Sequence, residues 1–205
     1  MSEIQVDTVS EKTAASGVTV DGVVVKDSGL TIPSGGTLTV ASGGTLANSG
    51  TVTGIGLFSS YAIIADHKAQ NTAGGTFTSG AWRERDLNAE IADPDGIVSI
   101  SSNQFTLGAG SYLIRWSSEA KMVGEHQTRL YDVTGTAEVE VGATGSLWTS
   151  AGQSSSAGAA RVSPGSSNVY SIEHQCSTTV STYGFGAAAN FGTEQYTTVE
   201  IFKEA

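Results

Sequence analysis

Two periodicities divide the chain. From residue 58 onward, apolar and polar residues alternate in short runs broken by Gly, Asn, Asp or Ser, as half-buried antiparallel strands require. The pattern predicts strands over residues 61–67, 82–88, 98–101, 104–107, 110–118, 127–133, 139–143, 157–162, 168–177 and 195–202, with helix nearly absent. That spacing suits a β-sandwich. In Tyr112-Leu113-Ile114-Arg115-Trp116 the two-residue period sets Tyr112, Ile114 and Trp116 on one face. Arg115 lies within this apolar strand and is the expected paired charge at an interface. Asp93-Pro94-Asp95-Gly96 reads as a tight turn, and the Gly/Ser/Ala-rich residues 150–159 as a long loop.

The first part of the chain follows a different rule. Leu30-Thr31-Ile32-Pro33-Ser34-Gly35-Gly36-Thr37 is followed by Leu38-Thr39-Val40-Ala41-Ser42-Gly43-Gly44-Thr45, then by Leu46 and a degenerate copy, a period of eight residues. Each unit is a short alternating strand closed by a Ser-Gly-Gly corner. One chain would leave its single apolar row half exposed, because solenoid units need neighbours to complete a core. Three copies around an axis would enclose Leu30, Ile32, Leu38, Val40 and Leu46, giving an intertwined trimeric β-stalk. A flexible Gly/Ser/Thr linker is the competing reading. Further upstream, residues 4–9 and 18–25 also alternate and are expected as strands, joined by turns at Ser16-Gly17 and Asp21-Gly22. Residues 1–57 contain no Phe, Tyr or Trp, and all fifteen aromatics follow. The expected division is therefore an attachment segment over residues 1–28, the repeat stalk over 29–57 and a compact head over 58–205.

Composition narrows the function. Charged residues make up 15% of the chain, against roughly 25% in an average soluble domain. The formal net charge is −10, and no window forms a basic patch, which argues against nucleic-acid binding. Apolar runs such as residues 23–25 and 61–65 are far shorter than the ~20 residues of a membrane helix, so no membrane insertion is expected. The N-terminus shows no basic and apolar leader, so synthesis in a cytosol, with release by lysis, is expected. The single cysteine, Cys176, permits no intrachain disulfide and is expected as a small buried residue.

Motifs for chemistry are sparse. Neither Gly-x-Ser-x-Gly nor a phosphate-binding Gly-rich loop occurs. His67, His126 and His174 are far apart, and their spacing encodes no metal site; Glu125-His126 and Glu173-His174, in strands, turn to opposite faces. Asp93 with Asp95, or Glu138 with Glu140, are carboxylate pairs of the kind glycoside cleavage needs, but a turn and a solvated strand face account for them. In Arg83-Glu84-Arg85-Asp86 a strand would put both arginines on one face, solvated or in intersubunit ion pairs. No catalytic residue, cofactor or metal is assigned. Trp148 and Tyr183, beside loops, are candidates for surface recognition by stacking on a sugar face.

The stretch from Phe105 through Gly108-Ala109-Gly110-Ser111-Tyr112 to Trp116, with the closing Tyr196-Thr197-Thr198-Val199-Glu200-Ile201-Phe202, resembles the C1q/TNF-like jelly roll. That resemblance implies a homotrimer and places Phe105, Tyr112, Ile114, Arg115, Trp116 and Phe202 in the head core or its interface. Residues 75–88, 126–131 and 184–186, with the leader Ile4-Gln5-Val6-Asp7-Thr8-Val9, residues 17–23 and Lys26-Asp27, resemble tail-fibre and other virion proteins of tailed bacteriophages. They imply a virion fibre that binds another virion protein through its N-terminal segment and a host-surface glycan or protein through its head. Capsid decoration or a head fibre is the alternative role, and polysaccharide depolymerisation a third.

Overall fold

A computed structural model describes residues 57–148 and 152–205, together with Thr37, Thr39, Val40 and residues 42–45. Residues 1–28 and the stalk positions Leu30, Ile32, Leu38 and Leu46 lie outside the described residues, as do the strands expected over 4–9 and 18–25. The chain divides into two units, Met1–Thr51 and Val52–Ala205, and the second holds the head. In the first, Val40 is 44% exposed, and Gly43 takes a positive φ of 85° at the Ser-Gly-Gly corner.

The head is all-β, two antiparallel sheets packed face to face. Its strands in chain order are β1 (Phe58–Lys68), β2 (Arg83–Glu84), β3 (Ala89–Ala92), β4 (Val98–Ser101), β5 (Gln104–Leu107), β6 (Tyr112–Lys121), β7 (Gly124–Asp132), β8 (Ala137–Val141), β9 (Gly145–Leu147), β10 (Gln153–Val162), β11 (Asn168–Cys176) and β12 (Glu194–Glu204). One sheet runs β10-β6-β12-β1-β3; the other runs β4-β5-β11-β7-β8, with β2 added to β11 and β9 to β7. From β5 to β6 to β7, and again from β10 to β11 to β12, the chain crosses from one sheet to the other, and the last long strand returns beside the first. This is a jelly-roll order, in which crossovers bring sequence-distant strands together.

The inner faces follow the two-residue period. Ala62, Ile64, Ile114, Trp116, Val199 and Ile201 from one sheet meet Phe105, Leu107, Leu130, Tyr170 and Ile172 from the other, with Leu87 and Tyr112, in one buried cluster. Apolar burial of this kind contributes roughly 1.5–3 kcal/mol per large side chain. The Trp116 indole N–H donates to Thr128 Oγ1 at 2.8 Å, so the ring reaches the facing sheet without losing its polar partner.

Register gives the sandwich two distinct ends. At the base, Phe58 pairs with Glu204, and the Ala205 amide donates to the Leu57 carbonyl. At the distal end, Lys68 pairs with Glu194, and Gln153 with Lys121. The apolar core fills the base and middle. Towards the distal end the inner faces turn polar, through Ser118, Thr128, Ser156, Thr197, His126 and His174, all buried.

Three expectations need correction. The strand predicted over residues 82–88 is limited to Arg83–Glu84; beyond it the Arg85 amide still donates to the Ile172 carbonyl of β11, while the Arg85 side chain is buried in the interior. The strand expected over residues 157–162 is present but begins at Gln153, so that most of the loop expected over residues 150–159 belongs to the ten-residue strand β10. The short strands β3 and β9 carry too little apolar alternation to have been seen.

Candidate functional site

The outer face of the β10-β6-β12-β1-β3 sheet carries an apolar row. Register places Leu113, Phe202 and Tyr61 side by side across β6, β12 and β1, and the Phe58 ring lies 5.2 Å from that of Phe202. Leu113, Phe202 and Phe58 are half-buried, while Tyr61 is 44% exposed. One row further along, Arg115 and Glu200 form an ion pair of 3.4 Å beside Ile63. Phe105, Tyr112, Ile114 and Trp116 occupy the buried core, whereas Phe202 and Arg115 belong to this outer face. Arg115 lies in a strand of buried neighbours, but alternation turns it outward, and its side chain is 62% exposed.

Inside the distal end sits a group that the sequence did not disclose. Arg85 is fully buried. Its guanidinium donates to Thr197 Oγ1 at 2.9 Å and to the carbonyls of Glu119, Phe185 and Tyr196 at 3.1, 3.2 and 3.1 Å. It also stacks over the Phe185 ring at 4.2 Å. Burial pulls its pKa down to about 10, against the opposing fields of Asp66, Asp86 and Glu119, so it remains a cation at neutral pH. It ties β6 and β12 to the loop carrying Phe185. Arg83, expected on the same face, stays exposed and donates to the Thr78 carbonyl.

Two of the three histidines converge beside Arg85. His126 Nδ1 lies 2.9 Å from His174 Nε2, and His126 Nε2 lies 2.7 Å from Ser154 Oγ. His174 Nδ1 is buried without a partner, and the Phe77 ring packs 4.8 Å from the His174 ring. Burial, reinforced by Arg85, lowers the pKa of both imidazoles, His174 well below the ordinary value. The pair is therefore a neutral hydrogen-bonded wire in the core. The alternation that sends Glu125 and Glu173 outward sends His126 and His174 inward, which the sequence did show. Their meeting depends on β7 and β11 being neighbours, which it did not. His67 stands apart, bonded to Gln195 at 2.9 Å.

The other candidate groups have structural partners. Asp93 accepts from the Ile97 and Val98 amides, and Asp95 from Ser60. Glu138 pairs with Arg129. Cys176 is buried against Phe77, Ala120 and Val123, and burial pushes its thiol up to about 11. Among the described residues no three His, Cys, Asp or Glu side chains converge as a metal site. Tyr183 lies beneath Lys121, whose Nζ is 5.3 Å from its ring centre, while Trp148 stands on the surface with its indole N–H donating to Glu125 at 3.1 Å.

No protein-family profile matches the chain, and no curated protein is similar to it in sequence. Among solved structures, the head is similar to the globular domain of zebrafish complement 1qA protein, with 13% identity and a TM-score of 0.46 over 70% of this chain and 95% of that one. It is likewise similar to murine APRIL crystallised at pH 8.5, with 7% identity and a TM-score of 0.46 over 70% of this chain and 98% of that one.

Proposed function

We propose that the protein is a non-enzymatic homotrimeric fibre of a bacteriophage virion, whose head binds the host surface. The observation that carries self-association is the row Leu113-Phe202-Tyr61, with Phe58 against it, on the outer face of the β10-β6-β12-β1-β3 sheet. A contiguous apolar surface of this kind marks an interaction site. A second copy of the chain is its occupant: the row adjoins the base of the head, where Leu57 continues into a segment whose eight-residue repeat also lacks the neighbours it needs. Three copies serve both surfaces at once, and the Arg115–Glu200 pairs, beside the row, give the contact a polar margin.

Adhesion then works through number. Three heads on one stalk convert weak contacts into avidity exceeding a single contact by about 10²–10⁴ when the geometry allows simultaneous engagement. Asp93, Glu138, His126 and His174 serve a turn, an ion pair and a core hydrogen bond, which favours binding over turnover as the role.

Light scattering on the purified full-length protein tests this reading. A mass three times the 20.9 kDa of the chain is expected. A monomer at micromolar concentration would sink it.

A further inference from the structure

The distal end of the β4-β5-β11-β7-β8 sheet carries an open groove of about 300 Å³ on its outer face. We propose that it binds a neutral carbohydrate. The inference deepens the adhesion reading above by giving the head a ligand class.

The floor is a cross-strand pair, Gln127 on β7 opposite Gln175 on β11. Gln127 spends one amide N–H on the Gly142 carbonyl at 2.8 Å, and its side-chain oxygen accepts nothing among the described residues. The Gln175 amide has no hydrogen-bond partner among them at all, an open donor and an open acceptor at the bottom of a concave site. Glu125 forms one side. Its own backbone amide, then the Ser177 hydroxyl and the Trp148 indole N–H, hold its carboxyl below the usual carboxylate range, so it is an ionised acceptor. Trp148 itself is 66% exposed beside it. Trp82 lines the groove from the other side, with the Arg129 guanidinium 4.3 Å from its ring centre.

A sugar ring presents C–H bonds on its face and hydroxyls around its edge. An exposed indole takes the former, while adjacent hydroxyls need the mixed donors and acceptors that amides and a carboxylate supply. Glu125 sets the charge of the ligand, because an anionic one would meet its carboxylate. Of the arginines nearby, Arg129 is held between Trp82 and Tyr131 and paired with Glu173 at 2.6 Å and Glu138 at 3.2 Å, and the exposed Arg83 donates to the Thr78 carbonyl. The groove also faces away from the base: β1 alone spans 11 residues, roughly 35 Å, between the two ends.

A shallow site returning about 0.3 kcal/mol per ligand heavy atom gives a monosaccharide a Kd on the order of millimolar. The test uses full-length protein titrated with glucose, galactose, mannose and N-acetylglucosamine, read by saturation-transfer NMR and tryptophan fluorescence. Galacturonic acid is the anionic counterpart. At least one neutral sugar is expected to saturate in that range, to lose about tenfold or more in both Trp148→Ala and Gln175→Ala, and to bind more tightly than the acid. Thermal melting of the two surface variants verifies that each is folded. No saturation by any neutral sugar, unchanged binding in both variants, or preference for the acid overturns the proposal. Light scattering on the same samples separates the two readings: a trimer that binds no sugar removes this inference alone, and a monomer that binds through the groove removes the fibre instead.

Discussion

Acidification from pH 7.5 to 5.5 is expected to destabilise the head through His126 and His174. Both are buried and neutral, and both have their pKa lowered, first by desolvation and then by the Arg85 cation. In the unfolded chain each titrates near its ordinary value of about 6.5. The unfolded state therefore binds more protons than the folded one below that pH, and stability must fall as pH falls. The contribution is complete above the unfolded value and lost between it and the lowered folded value. One imidazole that stays neutral at pH 5.5 removes about 1.4 kcal/mol relative to pH 7.5, and two remove at most about 2.8 kcal/mol. With a urea slope of about 2 kcal/mol per molar, the midpoint should move down by roughly 0.7–1.4 M. Asp66 is also buried, but its raised pKa acts in the opposite sense, so the wild-type slope alone does not isolate the pair. The decisive comparison is His174→Asn, whose midpoint should change with pH by about half as much, whatever its stability at neutral pH. A wild-type midpoint independent of pH over this range, or a His174→Asn variant with the same dependence, would refute the reasoning.

Other consequences are sharper in place than in magnitude. Arg85→Met removes the donors to three carbonyls and to Thr197 Oγ1, and should cost at least about 3 kcal/mol in chemical denaturation, where a surface arginine costs about 0.5 kcal/mol or less. Thr128→Val, nearly isosteric, strips the buried Trp116 indole N–H of its acceptor, while Ser156 keeps the Thr128 amide and the Ala143 carbonyl, and should cost about 1–3 kcal/mol by the same measurement. Tyr61→Asp and Phe202→Asp place a carboxylate in the apolar row, and either should shift the light-scattering mass toward 20.9 kDa without unfolding the head, which circular dichroism checks.

Legibility in the sequence tracks how locally each feature is encoded. Strands such as β4, β5 and β6 were visible because their own alternation suffices: Tyr112, Ile114 and Trp116 face inward whatever lies opposite them. Only residues 157–162 of β10 were legible as strand; its start was hidden, because Gln153 to Gly158 hold no large apolar residue. Their smallness is a response to the neighbouring strand: Gly158 pairs with Trp116, and a Cβ there would collide with the indole ring. Likewise, nothing in Arg83-Glu84-Arg85-Asp86 distinguishes the arginine that is buried, since its four acceptors come from residues 34 or more positions away. The glutamine floor of the groove is of the same kind, two unremarkable amides made adjacent by the β7–β11 pairing. The individual side chains announced their faces; the crossovers of the jelly roll decided their company.

The closeness of Leu57 and Ala205 at the base also fixes how the head bears mechanical load. Tension between a ligand at the distal end and the segment preceding Leu57 would enter along the axis of β1, which is paired through most of its length to β12 on one side and over Ile63 to Ala65 to β3 on the other. Force parallel to the strands puts the ladder bonds in shear, so many must yield together, rather than opening singly as in a hairpin pulled apart at its ends. A head built this way grips hardest along the line in which a tethered particle would pull.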